Sequence, residues 1–269
     1  MQKKKKRRRR LKKSVKRVFI ITGIVFGVII ASLIGVAVAN HIEENRVYPP
    51  NPDIGKETIH KIELMDVYPK DLIALYKKNE EARDFVLSYF LEKDVDHDID
   101  LSEYKESDEV PHFLQWDVRW GFADYGGETV AYAGCGPVAL SMVGYHLTKN
   151  EKLFSPDKVV EFALEEGYCV PDAGTAWAFM SEGAQSLGLQ VETLPLVEDI
   201  MIERLQAGNP IILIMGPGIF TGSGHFIVLR GYEDGYFLIN DPNSIVRTEK
   251  RWKFSEFSDQ ILNIWAYSV

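Results

Sequence analysis

The feature that most restricts this chain is a run of 22 residues, 18–39, without a single charge. As an α-helix it extends roughly 33 Å, enough to cross the hydrocarbon core of a bilayer. A segment of that kind does not join a water-facing core, so the body of the protein must be built from the residues after position 39. The flanking charge sets the orientation. Residues 1–17 contain twelve Lys and Arg, eight of them consecutive at 3–10, and no acid. The positive-inside rule places this tail (1–17) in the cytoplasm, makes 18–39 a transmembrane signal anchor, and puts everything from Asn40 outside. Ala37-Val38-Ala39 has the small-x-small form of a cleavage site, so the alternative is secretion after cleavage following Ala39. The uncharged run is longer than the about 7–15 residues of a cleavable signal, which favours an uncleaved anchor.

Charge separates the remainder sharply from its tail. The chain has 31 basic and 39 acidic residues, and with twelve bases in the tail only 19 remain against the 39 acids. A body this acidic argues against nucleic-acid binding. Two cysteines, Cys135 and Cys169, are too few for a disulfide framework or a cysteine-rich zinc site. The six histidines, at 41, 60, 97, 112, 146 and 225, have no metal-ligand spacing. No metal and no cofactor is expected. The absence of a cysteine network outside the cytoplasm leans towards a Gram-positive surface.

Residues 40–109 read as an extracellular stalk. Tyr48-Pro49-Pro50-Asn51-Pro52 is a stiff linker by composition. After Pro69, apolar residues recur at three- and four-residue steps (Leu72, Leu75, Tyr76, Phe85, Val86, Tyr89), which predicts a helix over 70–92 that packs on the body. Residues 94–100, with four aspartates at alternate positions, resemble a calcium loop but lack the central glycine and distal glutamate of an EF-hand. They read as a solvated turn.

From Val110 to the end the composition is that of a packed domain. Helices are predicted over 135–147, 157–166 and 175–187. Strands are predicted over 210–215, 225–229, 236–239 and 263–267, the last closing the sheet, with Asp234-Gly235 supplying a hairpin turn. Helices first and antiparallel strands second define the α+β class.

Within this domain, Gly134-Cys135-Gly136-Pro137 precedes an apolar, helix-compatible run. Proline favours the first helical turn, so Cys135 falls at a helix N-terminus, where unpaired N–H groups and the macrodipole favour a thiolate. Gly134 and Gly136 would let another backbone approach the sulfur. Taken alone, the stretch fits a small buried cysteine in a tight turn equally well. A nucleophilic cysteine needs a base, and the base needs an orienting group. His146 lies eleven residues along the same helix, roughly 16 Å away, and is out of reach. His112 sits beside a proline, ahead of the domain's first turn. His225 opens a strand after the glycine-rich stretch 217–224, and Asp241 ends the next strand, so a hairpin brings the two together. Trp177 and Gly224 are further candidates for the cleft, with a core position the competing reading for Trp177. Cys169 reads as a small core residue.

Four settings in order, Gln115 in Gln-Trp-Asp-x-Arg-Trp, Cys135 in Gly-Cys-Gly-Pro, His225 in Gly-His-Phe-Ile-Val-Leu and Asp241 in Asn-Asp-Pro-Asn-Ser, resemble papain-like cysteine peptidases. More closely, residues 110–269 resemble the bacterial family related to bacteriocin-processing, double-glycine-leader peptidases. The stalk is similar to that of membrane-anchored members in Gram-positive bacteria. The resemblance implies a papain-like fold, with Cys135 on a helical half and His225 and Asp241 on a sheet half. It further implies Cys135 as nucleophile, His225 as general base and acid, Asp241 orienting the imidazole, and Gln115 donating to the oxyanion beside the Cys135 N–H. The expected partner is a peptide or protein substrate, and the expected state a monomer. Two other functions fit the same residues: a catalytically silent surface binding module, and a hydrolase of cell-wall stem peptides.

Overall fold

The computed structural model describes residues 58, 60, 61, 68–171 and 173–269. The basic tail, the expected anchor at 18–39 and the proline-rich start of the expected stalk lie outside the described residues. Residues Ile59–Val269 form one compact unit, so the described stalk residues from His60 onwards share a unit with the domain after them.

From Tyr68 onwards the described residues open with three short helices: α1 (Lys70–Lys78), α2 (Arg83–Leu87) and α3 (Tyr89–Glu92). The single helix predicted over 70–92 is therefore broken. Asn79 is extended (φ −126°, ψ 107°), and its side-chain oxygen accepts from the Glu81 N–H at 3.0 Å. That local bond offers the backbone an alternative to continuing the helix. The apolar positions still face one way. Leu72, Leu75, Tyr76, Phe85 and Val86 form a buried cluster that takes in Ala131 and is flanked by Trp116, Phe122 and Tyr132 of the domain. Phe85 stacks on Phe122 with ring centroids 4.0 Å apart. The acidic stretch from Asp94 to Asp100 has no regular structure, and His97 there pairs with Glu92 at 2.9 Å.

A small hairpin, β1 (Asp124–Tyr125) with β2 (Glu128–Thr129), leads into α4 (Val130–Ala133) and then α5 (Cys135–Thr148). The prediction for α5 is met almost to the residue, because its apolar residues are unbroken and nearly all buried. Helices α6 (Glu151–Phe154) and α7 (Pro156–Glu165) pack beside it, followed by the two-residue ladder β3 (Cys169–Val170) with β4 (Gly174–Thr175). The helix predicted over 175–187 is not formed as one element. Residues Trp177–Met180 make a 3-10 turn, and only Glu182–Ser186 (α8) is α-helical. A buried Phe179–Met180 pair fixes that turn, and tertiary burial overrides the weak helical periodicity.

The second half is a six-stranded antiparallel sheet built from β5 (Gln190–Thr193), β6 (Ile211–Met215), β7 (His225–Glu233), β8 (Tyr236–Asn240), β9 (Arg251–Trp252) and β10 (Ile261–Ser268). Helix α9 (Glu198–Gln206) joins β5 to β6, and α10 (Ile245–Glu249) joins β8 to β9. The spatial order is β5-β10-β6-β7-β8-β9. The C-terminal strand therefore does not close an edge, as expected, but lies between β5 and β6; the polar β5 (Gln-Val-Glu-Thr) takes the edge. Both faces of the sheet are covered, and alternation divides them. Ile212, Ile214, Phe226, Val228 and Trp265 join the core around α5, whereas Ile211, Leu213, Ile227, Leu229 and Ile264 join a second core with Met201, Leu205 and Phe257. Burial on both faces is why β6 reads as one continuous apolar run. The hairpin between β7 and β8 turns where expected: Asp234 and Gly235 have φ of 49° and 84°, the paired positive angles of a type I′ turn.

Candidate active site

The thiol stands at the first residue of α5, with Gly134 as N-cap and Pro137 in the opening turn. A further contact anchors this helix end. The Tyr125 hydroxyl bonds Thr175 Oγ1 at 2.8 Å, and the Thr175 side chain fills the space over Gly136, where a Cβ would lie 2.5 Å from that oxygen. Gly136 thus admits a neighbouring side chain rather than the backbone expected, and a Cβ on Gly134 would strike Val130 one turn earlier.

The imidazole comes from the sheet. In the hairpin register Val228 faces Asn240, so the next residues, Ile227 and Asp241, are opposite one another. His225, two residues before Ile227, is the diagonal neighbour of Asp241, within reach of its side chain. His225 Nε2 meets Asp241 Oδ1 at 2.7 Å, and both residues are buried. With Nε2 engaged, Nδ1 is the nitrogen left for the thiol, and the Cys135 side chain is in hydrogen-bond contact with His225.

The charges follow from these contacts. Burial alone would push the Cys135 thiol up; hydrogen bonding and charge from His225, with the Phe226 N–H aimed at the sulfur, outweigh it and bring the thiol below its ordinary value. Burial alone would lower His225, but the Asp241 carboxylate overrides it and raises the imidazole well above its usual range. Asp241, despite complete burial, is held below the usual carboxylate range by His225 and by Arg247. Both shifts favour a thiolate beside an imidazolium. Cys169 behaves oppositely: burial, then the charges of Asp124 and Glu128, raise its thiol.

Asp241 is held on every side. Oδ1 also accepts from the Asn243 N–H at 2.8 Å, and Oδ2 accepts from Arg247 Nε at 2.5 Å. The backbone N–H donates to Thr248 Oγ1 at 2.9 Å, and the carbonyl accepts from His112 Nε2 at 2.7 Å. His112 thus backs the carboxylate residue from behind and does not face the sulfur. His146 lies in the last turn of α5, as its distance in sequence requires. Arg247 and Thr248 carry no sequence signal of this role, because it depends on the short helix α10 folding back over Asp241.

Gln115 is buried, and its backbone N–H donates to the Pro242 carbonyl at 2.7 Å, which ties it to the Asp241 loop. Its Nε2 donates to the Ala131 carbonyl at 2.6 Å and more loosely to Tyr132 at 3.4 Å, and Oε1 is buried without a partner. The amide is thus committed mainly to α4, and only the longer of its two N–H contacts is weak enough to yield to another acceptor.

A groove of about 350 Å³ opens over the thiol, lined by Cys135, Tyr132, Gly174, Thr175, Trp177, Ile214, Gly224 and Phe226 among others. Trp177 is 46% exposed, packing edge-on against Trp265. Of the four cleft candidates, Trp177 and Gly224 line the groove and Gly134 and Gly136 do not. Among the described residues, no cluster of His, Cys, Asp and Glu has the makings of a metal site.

A thiol on a helical half facing an imidazole–carboxylate pair on an antiparallel sheet provides the groups of nucleophilic acyl transfer. The chain belongs to the Peptidase_C39 like family, whose model matches residues 107–269. Among solved structures, it is similar to the peptidase domain of Streptococcus ComA, a bi-functional ABC transporter involved in a quorum-sensing pathway. That match has 20% identity and a TM-score of 0.40, over 51% of this chain and 91% of that one. It is also similar to a C39-like peptidase from Bacillus anthracis, with 15% identity and a TM-score of 0.40, over 61% of this chain and 96% of that one. No curated protein matches the chain.

Proposed function

We propose that this protein is a cysteine peptidase, anchored by residues 18–39 with its catalytic domain outside the membrane, that hydrolyses peptide bonds of a peptide or protein substrate. The observation that carries the reading is the contact of the Cys135 thiol with an imidazole held by a buried carboxylate. The thiolate attacks the substrate carbonyl carbon, forming a C–S bond as the carbonyl electrons move to oxygen. The oxyanion is met by the Cys135 N–H and by Gln115 once its amide turns from Tyr132. His225 gives its proton to the departing amine as the C–N bond breaks, leaving an acyl-enzyme. A water molecule then loses a proton to the neutral imidazole and attacks the acyl carbon. The C–S bond breaks, and the second product leaves as a carboxylic acid. Asp241 stays ionised throughout and keeps the ring in place.

Iodoacetamide tests this on the intact protein. Cys135 is expected to alkylate far faster than Cys169 near neutral pH, because one thiol is lowered and the other raised. Equal, slow labelling of the two would remove the basis of the proposal. Cys135→Ala separates an enzyme from a binding module: turnover disappears in the first case and ligand binding survives in the second. Incubation with isolated cell walls and with a peptide library distinguishes the two substrate classes.

A further inference from the structure

The matched family region begins at residue 107, yet the segment before it grips the site from both halves. On the helical side, Asp71 Oδ2 accepts from the Thr129 N–H at 2.7 Å and its hydroxyl at 2.6 Å, fixing the turn into α4 and α5. On the sheet side, Asn79 Nδ2 donates to the Asn243 carbonyl at 2.8 Å and side-chain oxygen at 2.9 Å. Glu81 goes further. One carboxylate oxygen accepts from Ser244 Oγ at 2.5 Å, and the other accepts from the N–H groups of Ile245 and Val246 at 2.7 and 3.1 Å. Ser244 Oγ in turn accepts from the Arg247 N–H at 3.0 Å. These are the first residues of α10, the helix whose Arg247 and Thr248 hold Asp241. Every donor of that turn is thereby satisfied by a side chain from α1–α2 or by its own serine. In a five-residue helix, too short to be stable by itself, such contacts decide whether it forms.

We propose that Glu81, supported by Asn79, is a positioning residue of the active site: it holds α10 so that Arg247 and Thr248 fix the Asp241 carboxylate against His225. The inference rests on the cysteine-peptidase reading and assigns a role in it to a segment outside the family's own domain. Glu81 touches no reacting atom. Its effect passes through Asp241, which faces His225 and Arg247 by its side chain and His112 by its carbonyl. Without the clamp, Asp241 loses its fixed geometry, the imidazole loses its charged partner, and the thiol drifts back towards its ordinary value.

The test is the pH dependence of Cys135 alkylation by iodoacetamide in the full chain, read on the Cys135 peptide by mass spectrometry, alongside the melting temperature. Glu81→Ala is expected to move the midpoint up by about one pH unit and so to slow labelling about tenfold at a pH below both midpoints. Glu81→Gln keeps an acceptor for the backbone donors and a partner for Ser244, and should stay within about threefold of wild type. Should Glu81→Ala fail to fold, Asn79→Ala removes the Asn243 contacts and the bond from the Glu81 N–H, keeps the Glu81 carboxylate, and is expected to shift the same midpoint in the same direction. A melting temperature that falls while the midpoint stays fixed overturns the proposal, since a merely structural contact does that. A low wild-type midpoint that Glu81→Ala leaves intact overturns the clamp alone. An ordinary thiol profile in the wild type overturns the reading of the site, and the clamp with it.

Discussion

At the residue scale, the decisive arrangement is a carboxylate completely removed from water that is held below the usual carboxylate range because His225 and Arg247 claim its two oxygens. Asp241→Asn removes the charge that raises His225, so the imidazole titrates at lower pH and the alkaline limit of the active window moves down. A loss of turnover on the order of 10²–10⁴ is expected, measured as kcat against pH, because the ring loses both its orientation and its charge. A variant whose alkaline limb is unmoved would show that Asp241 does not set the imidazole. The legibility of these residues in the sequence is uneven. Cys135 is visible from its Gly-Cys-Gly-Pro setting, and His225 with Asp241 from two strands and a turn. Gln115 is visible only through family resemblance, and its amide proves to be held by Ala131. Arg247, Asn79 and Glu81 are not visible at all, since each acts across a tertiary contact that no local pattern encodes.

At the element scale, α5 and the β7–β8 hairpin hold the thiol and the imidazole–carboxylate pair, and both are legible because their signals are local. An apolar helix after a Gly-Cys-Gly-Pro start and an Asp-Gly turn between apolar runs leave few alternatives. The elements that escape are set by packing. The edge strand β5 is four polar-leaning residues, and β10 looks the same from sequence whether it ends a sheet or lies inside one. Two substitutions test the elements. Gly144, in the middle of α5, has the Phe154 ring 1.9 Å from where a Cβ would stand, so Gly144→Ala should cost about 1–3 kcal/mol in urea denaturation despite its better helix propensity. Gly235→Ala forces an alanine to φ 84° and should cost about 1–2 kcal/mol, loosening the hairpin that carries His225 and Asp241 to each other. If either variant were as stable as the wild type, the close contact or the turn type assigned to it would be wrong.

At the scale of the whole molecule, the sequence suggests a stalk and a domain meeting near residue 110, while the compact unit runs from Ile59 onwards. The amphipathic pattern in 70–92 shows that the segment has a face to bury, but not that the face closes over Trp116, Phe122 and Tyr132. Phe85→Ala, which removes the ring stacked on Phe122, should cost about 3–5 kcal/mol and be readable as a large fall in denaturant midpoint. Acid stability is a global consequence of one group. The folded Asp241 carboxyl lies below its unfolded value, so the stability it contributes is fully present above about pH 4 and lost as pH falls through the folded value. Wild type should therefore lose stability below pH ~4 more steeply than Asp241→Asn; parallel curves would contradict the ionised, paired state. Finally, Cys135 and His225 come from the helical and the sheet half of the fold, with a large stretch of sequence between them. Neither half can make a reactive thiol alone. During refolding, fast alkylation should appear only after helix and hairpin signals are complete, so the nucleophile would serve as a built-in clock for the last docking step. A nascent chain whose second half has yet to be synthesised would carry an inert cysteine.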